Sequence, residues 1–376
     1  MEIKARSARG ARGLEGAYYT SADIFEVETE RIFNRQWLYA GRSAALAEAG
    51  DYMTVTVEGE ALLLVRGTGG GMKAFFNSCR HRGTRLCSES KGHLGSSIQC
   101  PYHAWTYGLD GHLMVAPNMG EAGDFDRANF PLMEVSVGEW EGFAFVSFSS
   151  EPRALEQVMK PLTERLAHRG LGQLEVAHRV EYDIQANWKL LVQNYSECYH
   201  CPKLHPVLNQ LTPYRNSTND LEEGPILGGP MRMSIEGGSM TMSGNRCAVP
   251  LTGVEGEDLN LVYYYTLFPN MFLSLAPDYV LVHQLLRQSP GRTLLNCDWL
   301  AAPAAASDPD VDFSGAVEFW AMTNEQDWRI CEASQVGVGA RSYTPGPYAD
   351  LESMVAASDR HYLQRLGHHL SGAGLD

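Results

Sequence analysis

The sequence of 376 residues has no apolar run that approaches the roughly 18–20 residues needed to span a bilayer. Basic residues are also scarce, because 30 Lys and Arg stand against 45 Asp and Glu and give a formal net charge of −15. A nucleic-acid surface needs clustered Lys and Arg over the phosphates, so this balance argues against DNA or RNA binding. The basic segment 1–13 lacks the apolar stretch of a secretory signal, so we expect a disordered lead-in and a cytoplasmic protein.

Cysteine is sparse and scattered, with 8 residues spread from Cys79 to Cys331. This distribution is not that of a small secreted domain built on a disulfide framework. In a reducing compartment such a set is more typical of metal ligands than of disulfides.

Hydrophobic periodicity predicts three parts in the chain. In residues 1–39, Ser21 caps an amphipathic helix that we expect to pack on the C-terminal domain. Residues 40–150 alternate in period two between turn signals, which predicts a small all-β domain. Residues 151–376 carry strands followed by long helices, which predicts an α+β domain in which helices cover one face of a sheet.

The individual elements of residues 151–376 can be predicted from the same patterns. Helices are expected at 154–169, 187–204, 311–334 and 348–366. Strands are expected at 174–184, 261–267, 279–287 and 293–300. Residues 211–254 are rich in Gly, Pro, Asn and Met and have no period, which is typical of a functional loop or lid, or of a disordered segment.

Two short segments each carry one cysteine and one histidine: Cys79 with His81, and Cys100 with His103. Zinc takes two Cys and two His in a tetrahedron, and a Rieske-type [2Fe-2S] cluster takes two Cys on one iron and two His on the other, so spacing alone leaves both open. Zinc fingers pair Cys with Cys and His with His. Here each segment supplies one of each, as a binuclear cluster held between two loops requires.

A second group of metal-ligand residues lies in residues 187–206. Glu197 and His200 are three residues apart and hence on one face of the predicted helix. His205 follows Pro202, which would break the helix and let the second imidazole reach the same point. Two His and one carboxylate form the facial triad of Fe(II) oxygenases, so the carboxylate must come from elsewhere in the chain.

Cys198 and Cys201 lie in the same segment and form a C-x-x-C motif. Such motifs occur in redox proteins. On a helix that already carries metal ligands, we expect the two thiols to serve in packing.

The residues around these ligands resemble the Rieske-type non-haem iron oxygenases, the ring-hydroxylating alpha subunits. The runs C-R-H-R-G from Cys79 and C-P-Y-H-A-W-T-Y from Cys100 resemble the two cluster loops of this family. The run N-W-K-L-L-V-Q-N-Y-S-E-C-Y-H-C-P-K-L-H-P from Asn187 resembles its iron-binding segment, in particular in the branch of glycine betaine, proline betaine, carnitine and choline monooxygenases. The resemblance covers the chain from Tyr18 to about Leu366.

The resemblance implies an all-β Rieske [2Fe-2S] domain and a helix-grip catalytic domain, assembled as a homotrimer. The cluster would be held by two cysteines and two histidines: Cys79, His81, Cys100 and His103. His200 and His205 would bind a mononuclear Fe(II), and Glu197 would link the two metal centres by facing His103 across a subunit interface. One departure from the branch is Gln193, at a position that is often acidic.

The family places the third iron ligand, an Asp, on a late helix. Asp327, in the run N-E-Q-D-W from Asn324, fits this place and form. Other acidic residues of the region are expected on a solvated helix face or nearby: Asp310, Asp312, Glu318, Glu325 and Glu332.

The resemblance also implies a reaction. An NAD(P)H-dependent reductase or ferredoxin would supply electrons, and O₂ and a small substrate would meet at the iron. Oxidative N-demethylation or hydroxylation of a quaternary ammonium compound is the favoured reaction, and dihydroxylation of an aromatic acid or related arene is the alternative.

An aromatic run could contribute to the substrate pocket. An aromatic box would suit a quaternary ammonium group, while core packing in a sheet would explain the same residues. Alternation along a strand predicts Tyr263 and Tyr265 on one face and Tyr264 on the other. The residues concerned are Tyr263, Tyr264, Tyr265, Phe268 and Phe272.

Overall fold

The computed structural model describes residues 10–120 and 124–367 of the chain. It divides into two compact units, one formed by Phe33–Met159 and one that joins Met1–Ile32 to Lys160–Asp376. We call the first the β unit and the second the α+β unit.

The divisions between the units differ from those expected on sequence grounds, which lay at 39/40 and 150/151. Strand β1 (Leu38–Arg42) pairs with a later strand of the β unit, so residues before 40 already belong to that unit. The predicted lead-in of residues 1–13 lies, as far as residue 9, outside the described residues.

The β unit contains antiparallel strands joined by short connections. Seven of the strands described pair in the order β1-β10-β9-β4-β3-β2-β5, and a second sheet has the order β6-β7-β8. The strands are β1, Leu38–Arg42; β2, Asp51–Val57; β3, Glu60–Arg66; β4, Met72–Phe76; β5, Lys91–His93; β6, Ser97–Gln99; β7, Thr106–Gly108; β8, Leu113–Val115; β9, Glu134–Trp140; and β10, Phe143–Ser147.

The turn between β2 and β3 follows from its residues. Glu58 and Gly59 both have positive φ, 52° and 80°, as a two-residue hairpin turn requires. The turn sets the register in which Val57 pairs with Glu60. The predicted all-β domain is therefore present in the β unit.

The two predicted cluster loops leave different sheets of the β unit. The first loop follows β4 and contains Cys79, and the second joins β6 to β7 and contains Cys100. Ile98, Trp105 and Tyr107 are buried beneath the two loops in one hydrophobic cluster with both cysteines.

The α+β unit contains one antiparallel sheet with the strand order β11-β16-β15-β14-β13-β12. Its strands are β11, Glu175–Ile184; β12, Ile226–Arg232; β13, Leu261–Leu267; β14, Met271–Leu275; β15, Val280–Ser289; and β16, Arg292–Ala301. The α-helices of the described chain are α1, Ala17–Thr20; α2, Ala22–Glu28; α3, Leu155–Leu166; α4, Trp188–Tyr195; α5, Cys201–Leu204; α6, Pro206–Leu211; α7, Pro303–Ala306; α8, Ser314–Val338; and α9, Ser353–Leu366.

Helix α4 packs against α8 and α9 and against strand β15. The predicted arrangement of a sheet covered by helices is thus observed. Among the helices of the two described ranges, none is both long and apolar enough to cross a bilayer.

Two strands of the α+β unit were not predicted from the sequence. Strand β12 lies inside the aperiodic segment 211–254. There Gly228, Gly229 and Pro230 interrupt the alternation of apolar and polar residues that would indicate a strand. Proline is tolerated there because β12 is the edge strand of the sheet. Strand β14 was missed because all of its residues are buried, which removes the polar half of the alternation.

The predicted helix 187–204 is divided in the structure, but not by Pro202. Helix α4 ends at Tyr195 and α5 begins at Cys201, so Pro202 lies in the first turn of a new helix, where it is tolerated. The break covers residues 196–200. Within it, the carboxylate of Glu197 accepts the backbone N–H of His200 at 3.2 Å and that of Tyr199, which competes with helical hydrogen bonding.

Candidate functional site

The three residues proposed as iron ligands converge in the α+β unit. His200 and His205 flank the short helix α5, and Asp327 lies on α8. Asp327 Oδ1 is 2.8 Å from His205 Nε2 and 3.5 Å from His200 Nε2. One ligand atom from each residue lies within 4.8 Å of the others. This donor set of two imidazoles and one carboxylate fits a facial triad for a divalent metal.

Both imidazoles are oriented through their second ring nitrogen. Nδ1 of His200 donates to Glu197 Oε1 at 2.5 Å, and Nδ1 of His205 donates to Gln326 Oε1 at 2.7 Å. This leaves each Nε2 directed at Asp327, the orientation that a metal ligand needs.

The electrostatics of the triad favour a positive charge. Burial lowers the pKa of His200, but hydrogen bonds to Asp327 and Glu197 outweigh it and raise that pKa to about 9. Burial raises the pKa of Asp327, but hydrogen bonds from His200 and His205 outweigh it, so that pKa lies below the usual value. A divalent cation held by these side chains would supply the charge that the carboxylates favour.

The alternative acidic residues do not join the triad. Asp310, Asp312, Glu318 and Glu325 are exposed. Glu332 accepts the backbone N–H of Gln185 at 3.0 Å.

The four residues proposed to hold the cluster meet in the β unit. Cys79 and Cys100 are buried, whereas His81 is exposed and His103 is half-buried. The two imidazole rings lie 4.7 Å apart between centroids. Desolvation, His81 and Arg82 together lower the pKa of His103, which favours the neutral imidazole that a metal ligand requires. Two buried sulfurs and two more exposed imidazoles fit a cluster with one iron on each pair.

The two cluster loops have the same backbone hydrogen bonds. In each, the N–H four residues after the cysteine donates to the cysteine carbonyl, and the cysteine N–H donates to the carbonyl of the fifth residue. The pairs are Gly83 N to Cys79 O, 2.9 Å; Cys79 N to Thr84 O, 2.8 Å; Ala104 N to Cys100 O, 3.2 Å; and Cys100 N to Trp105 O, 2.8 Å. Gly83 and Ala104, the fourth residues, both have positive φ, at 74° and 55°. The loops are therefore matched supports on either side of the proposed cluster.

Two residues of the β unit contact the proposed ligands but were not singled out on sequence grounds. The hydroxyl of Tyr107 lies 3.3 Å from Cys79 Sγ. The ring of Trp105 stacks on His81, 4.8 Å between centroids and 7° between planes. Both lie in the quoted run from Cys100, where their spacing of two residues could have indicated that they share one face beneath the loops.

A cavity of about 130 Å³ adjoins the triad in the α+β unit. Its walls come from the 194–208 segment, from β12 and β13, and from helices α8 and α9. Two acidic side chains, Glu197 and Asp327, line it, and among the described residues the lining contains no Lys or Arg. Its aromatic residues are Tyr195, Tyr264 and Trp320.

Of the five residues in the aromatic run, only Tyr264 lines this cavity, so the run does not form an aromatic box there. Tyr263 and Tyr265 stack on each other with 6.4 Å between centroids, and neither lines the cavity, whereas Tyr264 does. The predicted alternation is thus confirmed. Phe272 stacks on Tyr195 at 4.2 Å, and Phe268 packs on Trp188 and His361, which is core packing. Trp320, 6.3 Å from Tyr264 between centroids, was missed because it lies on a distant helix.

A disulfide joins Cys198 and Cys201, contrary to the expectation of two packing thiols. Both residues line the cavity beside the triad. The sequence signal was the C-x-x-C spacing itself, which places the two Cα atoms 5.0 Å apart at the start of α5.

Comparison with known proteins shows matches along almost the whole chain. Residues 171–368 match the family model of the ring-hydroxylating alpha subunit catalytic domain, and residues 36–132 match the model of the Rieske [2Fe-2S] domain.

Curated relatives and a solved structure agree with these models. The chain is 33% identical to the glycine betaine monooxygenase oxygenase subunit of Chromohalobacter salexigens, over 92% of this chain and 83% of that one. It is 40% identical to the carnitine monooxygenase oxygenase subunit of Acinetobacter baumannii, over 50% of this chain and 51% of that one. A crystal structure of the quaternary ammonium Rieske monooxygenase CntA with an inhibitor superposes with a TM-score of 0.82 at 24% identity, over 98% and 99% of the two chains.

Proposed function

Because this chain belongs to the ring-hydroxylating alpha subunit family of Rieske oxygenases, we propose that it is the oxygenase component of a monooxygenase for a small methylated ammonium compound. As a family member it is an oxidoreductase with a Rieske [2Fe-2S] cluster and a mononuclear iron. The proposed reaction is oxidative N-demethylation or hydroxylation with electrons from an NAD(P)H-dependent reductase or ferredoxin. The relatives named for glycine betaine and carnitine favour it over ring dihydroxylation.

We assign the roles of the site residues from the geometry. His200, His205 and Asp327 would hold the mononuclear Fe(II), which when bound supplies reductive activation of O₂ for insertion of oxygen into a C–H bond. Glu197 and Gln326 keep each imidazole turned to the metal position. The cluster would be held by the remaining ligand set: Cys79, His81, Cys100 and His103.

The observation that carries the substrate class is the charge of the cavity. Its described lining has the carboxylates Glu197 and Asp327 and no basic side chain. An ammonium group is complementary to this lining, which among the described residues offers two carboxylates and no basic side chain. Tyr264 and Trp320 offer ring faces for cation–π contacts, each worth about 0.5–2 kcal/mol.

We also propose a homotrimer, on the family resemblance. In such an assembly Glu197 would face the cluster ligand His103 of the neighbouring subunit. A carboxylate can accept a hydrogen bond from an imidazole on each side, which suits it to connect two metal centres.

The reaction is tested with purified enzyme, a matched reductase and NAD(P)H. With a trimethylammonium substrate, the enzyme should consume O₂ and release formaldehyde in equal amounts if a methyl group is removed. Formaldehyde is expected because hydroxylation of a carbon next to nitrogen gives an unstable hemiaminal. Simple aromatic acids serve as the comparison. Formation of only cis-diols or phenols from the arenes would contradict the assignment.

The aromatic contribution is tested with Tyr264→Leu, which removes the ring. We expect KM for the ammonium substrate to rise about 2- to 30-fold, as the loss of one cation–π contact implies. Tyr264→Phe is the matched control, because it keeps the ring and should stay near the wild-type KM. Equal KM values for the two variants would assign the effect to something other than the ring.

A further inference from the structure

The disulfide between Cys198 and Cys201 encloses the proposed iron ligand His200. The two Cα atoms are 5.0 Å apart, inside the range of about 4.4–6.8 Å in which a disulfide forms without backbone movement. The same backbone can therefore carry either the disulfide or the two thiols.

His200 lies in a turn that has little regular hydrogen bonding. Residues 196–200 lie between α4 and α5. The backbone closes the turn through Cys201 N–H donating to Cys198 O at 3.2 Å. On the side chain, Glu197 holds Nδ1 of His200. The disulfide is the covalent constraint on this turn.

Both cysteines line the cavity in which O₂ and substrate would meet. Cys198 is half-buried and Cys201 is buried, so Cys198 is the more accessible of the two. Sγ of Cys201 is 3.9 Å from Nε2 of His200. Peroxide released by incomplete turnover would appear beside this pair.

We propose that Cys198 and Cys201 form a peroxide-oxidised dithiol/disulfide pair that governs how firmly His200 is held and hence how well the mononuclear iron is retained. This goes beyond the proposed monooxygenase function and rests on the assignment of His200 as an iron ligand. Neither the fold nor the substrate class requires such a pair.

The chemistry balances with hydrogen peroxide as the oxidant. The thiolate of Cys198 attacks one peroxide oxygen, the O–O bond breaks, and the leaving hydroxide takes a proton to form water. The sulfur of Cys201 then displaces hydroxide from the sulfenic acid of Cys198, forming the S–S bond and a second water. Two thiols thus lose two electrons and peroxide gains them. An external dithiol reverses the step by thiol–disulfide exchange.

The disulfide should hold the turn and slow the loss of iron. Reduction frees the chain on either side of His200, leaving the contact with Glu197 and the backbone hydrogen bonds. We expect the reduced enzyme to release mononuclear iron about tenfold faster, at the low end of the roughly 10- to 100-fold by which losing a support of a metal ligand weakens metal binding.

The redox part is tested on the holoenzyme in anaerobic dithiothreitol buffers of graded potential. After acid quenching and alkylation with N-ethylmaleimide, peptide mass spectrometry gives the fraction of the 198–201 pair that is bonded. We expect one two-electron transition, and return to the disulfide with one equivalent of hydrogen peroxide. Cys247, half-buried, hydrogen-bonded to Asp278 and outside the cavity wall, is the internal control that should remain alkylatable. A pair that stays fully alkylatable after peroxide, or fully bonded in every buffer, would overturn the proposal.

The functional part is tested by measuring the rate at which a ferrous chelator removes iron from the oxidised and from the reduced enzyme. The visible spectrum follows the cluster separately. Cys198→Ser and Cys201→Ser should release iron at the reduced rate in every buffer, and Cys247→Ser should follow the wild type. Equal rates for the two wild-type forms would overturn the proposal, even if the serine variants fail to fold. Because no substrate is used, this result is independent of whether methylated ammonium compounds are turned over.

Discussion

Three side chains contact the carboxylate of Asp327, and these contacts hold it at the proposed metal position. Asn194 Nδ2 donates to Asp327 Oδ1 at 3.0 Å, and the two imidazoles approach the same oxygen. The neutral amide of Asn194 orients the carboxylate without adding a charge. The carboxylate is thus held by a neutral donor while its own charge is available to a cation.

Replacement of Asp327 by Ala should deplete mononuclear iron and leave the cluster spectrum intact, because the two ligand sets lie in different units. Turnover should fall below detection. Iron analysis together with the visible spectrum measures both sites at once. Glu325→Ala is the matched control, since Glu325 lies two residues earlier on α8, is exposed and pairs only at the surface with Arg329 among the contacts described. Full iron and activity in Asp327→Ala would mean that another carboxylate is the ligand.

Glu197 is not the solvated helix residue that its position in a predicted helix could have suggested. It lies in a turn, with 12% of its side chain exposed, and both carboxylate oxygens are used by the backbone or the imidazole of the residues that follow. Its geometry therefore supports the positioning of His200. Its proposed second role, towards His103 of a neighbouring subunit, remains a prediction.

Glu197→Ala should leave both metal sites filled and the cluster reducible, yet nearly abolish substrate turnover. Glu197→Gln keeps an oxygen for His200 Nδ1 but loses the charge, so it should assemble better and still be slow, by about 10- to 100-fold. Stopped-flow reoxidation of the reduced cluster measures the affected step. An unchanged rate in Glu197→Ala would remove this residue from the electron path.

Helix α4 is anchored at its start by a buried ion pair with helix α2. Nζ of Lys189 lies 2.5 Å from Oε1 of Glu28, and both side chains are almost fully buried. Tyr362 and Trp188 donate to the same carboxylate at 2.7 and 3.0 Å. Burial lowers the pKa of Lys189 to about 8, although Glu28 acts in the opposite direction. The network fixes the helix that leads directly into the proposed iron-binding turn.

Lys189→Met should destabilise the α+β unit by about 3–5 kcal/mol, because it removes the nearer cation of the buried Glu28 carboxylate and leaves only Arg287, at 3.8 Å. The double variant Lys189→Met/Glu28→Gln should recover only part of this loss, because the buried guanidinium of Arg287, 3.8 Å from the Glu28 carboxylate, then loses that charged partner. Lys160→Met is the control, because Lys160 is exposed and its pair with Glu164 is worth about 0–1 kcal/mol. Thermal unfolding, with the cluster absorbance reporting the β unit separately, measures the difference. A single variant as stable as the control would contradict the role of the pair.

Helix α4 also carries Gln193, at a position that is often acidic in the related branch, and its contacts explain the difference. Gln193 Nε2 donates to Asp359 Oδ1 at 2.8 Å, and Tyr348 donates to the other oxygen at 2.6 Å. Burial raises the pKa of Asp359 to about 6. An acidic residue at 193 would face this buried carboxylate and repel it, so a neutral amide suits this chain.

For the molecule as a whole, the two ligand sets imply about three irons per chain, two in the cluster and one mononuclear, with two acid-labile sulfides. Metal and sulfide analysis of purified protein measures this directly. Cys79→Ser or His103→Ala should remove the cluster colour while the mononuclear site remains available. Stoichiometric zinc without labile sulfide would contradict the assignment of the cluster.

Much of this molecule is determined by local sequence. The resemblance to Rieske oxygenases and the fold class that it implied are confirmed by the family models and by the CntA structure. The proposed cluster loops could be predicted because each carries one Cys and one His at a short separation. The proposed ligands His200 and His205 could be predicted because they lie five residues apart in one segment. In the α+β unit, the sequence predicted β11, β13, β15 and β16, whereas β12 and β14 were not predicted, because a glycine-rich edge and full burial each remove the alternation.

Only the tertiary structure decided which distant groups meet these residues. Asp327 follows His205 by more than a hundred residues, and spacing alone cannot distinguish it from the exposed Glu325, which is why the family resemblance was needed. Gln326, Asn194 and Trp320 acquire their roles only when α8 packs on α4 and beside β13. The break at residues 196–200 likewise depends on the Glu197 carboxylate bonding to the backbone instead of to water. Local spacing determines which metal ligands are present, and packing between distant elements determines how they are held and what lines the space beside them.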